Sequence, residues 1–170
     1  EEDTQFFSRL FKKEFIFRVG DFEKGILAAL TALEKDDIVR RDGNGFVSLV
    51  PENLDRLLIF RNMVLPIVES YLVCARYAPM VRWKGAQRRR DLAKAMLSRA
   101  SKDYREGEVT CQEALSTVSL QNALARYVSM DVLKTVDSGI DAGKIRFARG
   151  SALENLRQIE LKLTRFVDVK

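Results

Sequence analysis

The side chains with the most chemical potential lie between residues 76 and 105. Ten Lys or Arg occur there against Asp91 and Asp103, a local balance of +8 in a chain whose formal net charge is +5. The excess positive charge is therefore one segment. Such a localised field attracts phosphates, anionic lipid or an acidic partner. Eight of these residues are candidate contacts: Arg82, Lys84, Arg88, Arg89, Arg90, Lys94, Arg99 and Lys102. The plainest alternative is a solvated helix face. Nucleic acid is the weakest reading, because a base reader interleaves aromatic and amide side chains. Here only Trp83 and Gln87 are near.

Reaction chemistry is sparse. The chain has no histidine, which removes the commonest general base, the Ser–His and Cys–His pairs, and nearly all zinc sites. Cys74 and Cys111 sit in apolar helical contexts and read as reduced core thiols. Gly43 and Gly45 belong to a hairpin turn, and no Lys-Ser/Thr pair follows to make a phosphate loop. Asp36-Asp37 lies at a helix end, where carboxylates are solvated. We expect no catalytic, cofactor-binding or metal-binding residue in this chain.

The elements that position these groups form a pattern that occurs twice. Ile26–Leu33 reads as an apolar helix, followed by Asp37-Ile38-Val39, the turn Asp42-Gly43-Asn44-Gly45 and Phe46–Leu49. Leu120–Val128, Asp131-Val132-Leu133, a longer turn and Lys144–Phe147 repeat it. Helices bearing Leu54 and Leu153 close the two copies. Asn and Asp before Gly are strong hairpin signals. The expected fold is mainly α with two small β-hairpins: tandem winged-helix-like units joined by a long helix and a basic helical connector. The expected divisions are 1–82, 83–108 and 109–170, within one C-terminal domain of a larger protein.

Local signals fill in the rest. Phe6, Phe7, Leu10 and Phe11 predict a short amphipathic helix over 4–14. Residues 14–18 alternate as an extended stretch, and Asp21 is a candidate N-cap. Pro51 starts a long helix over about 52–76. Arg56, Arg61, Asn62, Glu69 and Arg76 interrupt its apolar run and Pro66 bends it, so we expect a buried core helix and no membrane span. Residues 82–106 predict a basic amphipathic helix, or a loop followed by one. Thr110 with Glu113 reads as a capping box, and Ser119 as the cap of the second copy's helix. The acidic opening Glu1-Glu2-Asp3 is unlike a signal peptide. With no initiator methionine, it leads us to expect a C-terminal piece of something longer.

The chain also resembles a known family. Glu14-Phe15-Ile16-Phe17-Arg18, the helix before Asp37-Ile38-Val39, and Leu65-Pro66-Ile67-Val68-Glu69-Ser70-Tyr71 resemble the C-terminal region of the glycerol-3-phosphate and dihydroxyacetone-phosphate acyltransferases. Glu113-Ala114-Leu115-Ser116 with Leu120-Gln121-Asn122-Ala123-Leu124 resembles that region's final segment. The order and spacing of these motifs carry the likeness, since each is apolar and unspecific by itself. The resemblance implies an enzyme that moves an acyl chain from acyl-CoA or acyl carrier protein to the 1-hydroxyl of a glycerol phosphate. Its catalytic histidine and aspartate, with four residues between them, lie upstream. None can be carried onto a chain without histidine.

The expected partners are thus an upstream acyltransferase domain, in the same or a separate chain, and an anionic membrane surface. The expected location is intracellular and membrane-associated. The other readings are a tandem winged-helix nucleic-acid binder and a protein-docking adaptor. Against nucleic acid, Leu120–Val128 carries one Arg and no Lys, and 22–35 carries only Lys24 and Lys35. A helix entering a major groove brings more basic and amide side chains than these.

Overall fold

The computed structural model describes residues 2–15, 22–136 and 145–168. The expected N-cap at Asp21, most of the extended stretch 14–18 and the longer turn of the second copy fall outside them. The described residues are mostly helical, with two small antiparallel sheets. In chain order the elements are α1 (Glu2–Leu10), α2 (Phe22–Lys35), β1 (Val39–Arg41), β2 (Val47–Leu49), α3 (Leu54–Tyr77), β3 (Gln87–Arg88), α4 (Arg89–Glu106), α5 (Thr117–Ser129), β4 (Leu133–Val136), β5 (Arg146–Arg149) and α6 (Leu156–Val167). They divide into two compact units, Phe15–Val64 and Glu1–Glu14 with Leu65–Lys170.

The doubled pattern holds down to its hydrogen bonds. After α2, Asp37 takes a left-handed φ of 53°; after α5, Asp131 takes 57°. Aspartate tolerates this region better than most residues. The next residue closes the helix in both copies: Ile38 N donates to Leu33 O at 2.8 Å, and Val132 N to Tyr127 O at 2.9 Å. The strand exits match as well. Val50 N donates to Ile38 O and Gly150 N to Val132 O, each at 3.0 Å. A single 3-10 turn follows, Pro51–Asn53 or Leu153–Asn155, and leads into α3 or α6.

The copies differ in their sheets. The first is a bare hairpin, with Val39 opposite Leu49 and Arg41 opposite Val47. Its turn is held by Asp42, whose Oδ1 accepts from Asn44 N and Phe46 N at 2.9 Å each, and Gly45 supplies a φ of 84°. The second hairpin gains a third strand, β3, so the order is β3-β5-β4. The sequence gives no warning of β3, which is two residues long and lies inside the basic run. The basic segment is accordingly a loop, a strand and α4, whose Leu92, Ala93, Met96 and Ala100 are buried.

Two capping expectations are corrected. Ser116, not Ser119, is the N-cap of α5: its Oγ accepts from Ser119 N at 3.3 Å. Thr110 is not the cap of the turn that follows: Cys111 takes that position, with no side-chain cap bond, and Thr110 N and Oγ1 donate to Glu69 instead. The first helix also ends earlier than expected, at Leu10.

The core of the larger unit gathers around the second half of α3. Its fully buried residues include Val68, Tyr71, Cys74 and Ala75 of α3, Leu120, Leu124 and Tyr127 of α5, Met96 of α4 and Leu163 of α6. Burying such side chains is worth about 1.5–3 kcal/mol each for the larger ones. Phe11 meets Tyr71 edge-on at 5.0 Å, and Tyr71 meets Tyr127 at 6.1 Å. By length and composition the stretch Pro51–Met80 could cross a membrane. Most of Leu65–Ala75 is instead buried within the protein.

Candidate functional site

The long helix carries a carboxylate into the interior. Glu69 has no solvent exposure. Its Oε1 accepts from Thr110 N at 2.8 Å and Thr110 Oγ1 at 2.7 Å, and its Oε2 accepts from Cys111 N at 2.9 Å. A buried charge needs such donors to offset its desolvation. Ser70 lies beside it, 2.9 Å from the carbonyl oxygens of both Pro66 and Ala114, sharing one proton between them. Pro66 has no N–H, so its turn of α3 lacks one ladder bond. Tyr71 completes the group. Its carbonyl accepts from Tyr127 OH at 2.7 Å, and its hydroxyl donates to Glu14 Oε1 at 3.3 Å. Asn122 Nδ2 reaches the other Glu14 oxygen at 3.3 Å. Burial pushes the Tyr71 hydroxyl far above its ordinary range, and the Glu14 charge adds to the shift.

A second polar cluster follows one turn on. Tyr77 OH donates to Asp103 Oδ1 at 2.6 Å. Burial, then the bond and charge of Asp103, push the tyrosine up to about 12. Arg76 lies 3.3 Å from Glu160, 3.8 Å from Glu108 and 4.0 Å from Asp103. Arg99 places its guanidinium 5.6 Å from the Tyr77 ring centre. A shallow groove of about 250 Å³ runs beside them, lined by Tyr77, Met80, Val81, Ala95, Met96 and Arg99.

The cysteines are free. The Cys74 thiol is enclosed and faces Leu120 O at 3.7 Å, and burial raises its pKa well beyond the ordinary thiol range. Cys111 is half-exposed and also shifted upward, chiefly by burial. Raised thiols make poor nucleophiles at neutral pH. Among the described residues no group of three or more His, Cys, Asp or Glu is placed to hold a metal ion.

The eight basic candidates are not equivalent. Arg82, Lys84, Arg88, Arg90, Lys94, Arg99 and Lys102 are exposed, and Arg89 is half-buried. Arg89 Nη2 donates to Gln121 Oε1 at 2.9 Å, so it ties α4 to α5. Lys102 pairs with Glu106 at 3.6 Å, and Arg99 stacks on Tyr77. Trp83 is spent on structure, its indole N–H donating to Ala78 O at 3.1 Å. On the outer half of α4, Asp91 and Glu106 interrupt the cations. Two cations that the sequence did not single out, Lys134 and Arg146, lie on the sheet that contains Arg88.

The smaller unit has the opposite character. Ile38, Val39 and Val50 are its buried apolar residues among those described. Leu27, Phe46, Val47, Leu49, Ile59, Phe60 and Met63 are exposed, Phe46 at 74% and Met63 at 71%. Ile59, Phe60 and Met63 follow the i, i+1, i+4 spacing of one helix stripe.

Fold and side chains together define a mainly helical domain with two small sheets, in which the buried carboxylates Glu69 and Asp103 join one element to another. The family of such domains follows from comparison with known proteins. A family model described as the glycerol-3-phosphate acyltransferase C-terminal region matches residues 1–136, and the chain belongs to that family. The match ends at Val136, the last residue of β4. No curated protein matches the chain.

Proposed function

We propose that this chain is the accessory C-terminal domain of a glycerol-3-phosphate or dihydroxyacetone-phosphate 1-O-acyltransferase of glycerophospholipid synthesis. Acyl transfer from acyl-CoA or acyl carrier protein is the work of a separate histidine/aspartate domain. The domain described here packs against that domain at a membrane. Family membership supports the enzyme class.

The observation that carries the docking role is the exposed apolar surface of the unit Phe15–Val64. A unit of this size with so few enclosed residues among those described is marginal by itself. Exposed apolar patches of this kind mark interaction sites. Covering them contributes about 25 cal/mol per Å² of apolar area removed from water, the increment that a small unit lacks.

The test is binding between the chain and the acyltransferase domain of its parent enzyme, each produced separately. Wild-type chain binds; Phe46→Glu, Phe60→Glu and Met63→Glu together weaken binding by at least about tenfold, because each places a charge in the apolar contact. These positions are exposed, so the variant keeps its thermal transition. A variant that binds as well as wild type, or a wild type that does not bind, contradicts the docking role.

A further inference from the structure

The three-stranded sheet presents a face made of cations. In register, Arg88 stands opposite Arg146, and Arg146 stands opposite Val136. Lys134 stands opposite Ala148, two residues further along both strands. Side chains that face one another across a ladder share a side of the sheet, as do residues two apart. Arg88, Arg146, Lys134, Val136 and Ala148 therefore form one face. The other face holds Leu133 and Phe147, both buried in the core. The outward direction of the cationic face follows, and Arg88, Arg146 and Lys134 are all exposed.

Like charges directly opposite one another destabilise a sheet. Nothing among the described residues compensates this pair: neither arginine nor Lys134 forms an ion pair with a described carboxylate. Among the described residues this pair is a local repulsion, which an anion spanning the strands relieves. Adjacent strands are about 4.8 Å apart, so one phosphate can accept from two neighbouring guanidinium groups.

We infer that this sheet face is a contact site for the phosphate headgroups of an anionic phospholipid bilayer. The inference rests on the reading that the parent enzyme works at a membrane. It narrows the positive field of residues 76–105 to one of those residues, Arg88, and joins it to two from the second hairpin. Three features favour a bilayer. The face carries no amide with which to read a base. The amides of α5, which would have to do the reading, are already engaged, Gln121 by Arg89 and Asn122 by Glu14. An apolar residue, Val136, is 38% exposed among the cations, as suits an interface between headgroups and acyl chains.

The experiment is flotation of the whole chain with vesicles of phosphatidylcholine alone, or of phosphatidylcholine with about one third phosphatidylglycerol. The wild-type chain floats with the anionic vesicles only, and less so as salt rises. Arg88→Gln, Lys134→Gln and Arg146→Gln together lower partitioning by about a hundredfold, since each cation contributes a factor of about five near an anionic surface. The same variant unfolds at the wild-type temperature or above it, because the facing pair of like charges is gone. Loss of binding with unchanged or raised stability is a combination that misfolding cannot produce. Lys94→Gln, Arg99→Gln and Lys102→Gln remove equal charge from α4 and lower partitioning far less.

If the sheet variant floats like wild type, or the α4 variant loses as much, the site is overturned while the membrane reading stands. If the wild-type chain floats with neither vesicle, both are overturned. Binding to duplex DNA that is lost in the sheet variant, with no vesicle binding, assigns the face to nucleic acid and overturns the proposal.

Discussion

Replacing Glu69 by Gln removes one negative charge and one acceptor while changing almost no volume. Glu69 is fully buried and its two oxygens receive three donors. A glutamine can keep its carbonyl oxygen toward the Thr110 N–H and hydroxyl. Its amide then turns N–H groups toward the Cys111 N–H, donor against donor. One charge-assisted bond is lost, worth about 1.5–3 kcal/mol, and a backbone N–H is left without an acceptor. The two costs overlap. Part is returned because a neutral amide needs less desolvation than a carboxylate. The expected net loss is about 2–3 kcal/mol. For a chain of this length 1 kcal/mol moves Tm by about 2–4 °C, so Tm falls by about 5–10 °C. Glu69→Ala strands all the donors and costs more, about 3–5 kcal/mol. The assay is urea unfolding followed by the fluorescence of Trp83. It is the only tryptophan of the chain and lies in the same unit as Glu69. A loss below about 0.5 kcal/mol for Glu69→Gln, the range of ordinary surface substitutions, would refute the clamp.

Other expectations follow from single contacts. Tyr77 is held protonated to about pH 12 by burial and Asp103. Its ordinary pKa is about 10, so its share of stability is complete below about pH 10 and is lost as pH rises toward 12. Tyr77→Phe should flatten part of that alkaline decline, read as Tm against pH; an unchanged slope contradicts the coupling. The glycines should rank by geometry. A Cβ on Gly150 would meet Asp131 O, so Gly150→Ala should be costly, about 1–3 kcal/mol or more. Gly107 has a φ of +80° with open space, so Gly107→Ala should cost about 1–2 kcal/mol. Gly43 has neither constraint, and Gly43→Ala should stay within about 0.5 kcal/mol. A reversed order in their thermal transitions counts against this backbone.

The doubled pattern was legible because its signals are local. Asp42 before Gly43 makes the hairpin turn, Pro51 starts the next helix, and Asp37 and Asp131 end their helices at equivalent places. The family resemblance was legible for a different reason, the order and spacing of several motifs along the chain. What Glu69 and Tyr71 of those motifs do was not legible, since each binds a segment more than 40 residues away. What stayed hidden depends on long-range pairing. The two-residue strand β3 exists only because β5 comes to meet it. Arg88 and Arg146 are 58 positions apart and become neighbours through register alone. Thr110 looks like a cap in sequence because nothing local shows that it lies against a buried carboxylate one position before the true cap, Cys111. The exposed apolar stripe of α3 likewise reads as core until burial separates Ile59, Phe60 and Met63 from Val68, Leu72 and Val73.

We propose that this chain serves an acyltransferase without performing the transfer. The most direct test measures transfer of a labelled acyl chain, from acyl-CoA or acyl carrier protein, to glycerol 3-phosphate and to dihydroxyacetone phosphate. It is run with the chain alone, with the acyltransferase domain of the parent alone, and with both. The chain alone should give no product, and the pair more product than the acyltransferase domain by itself. Turnover by the chain alone, or an acyltransferase domain whose rate is indifferent to the chain, would contradict it.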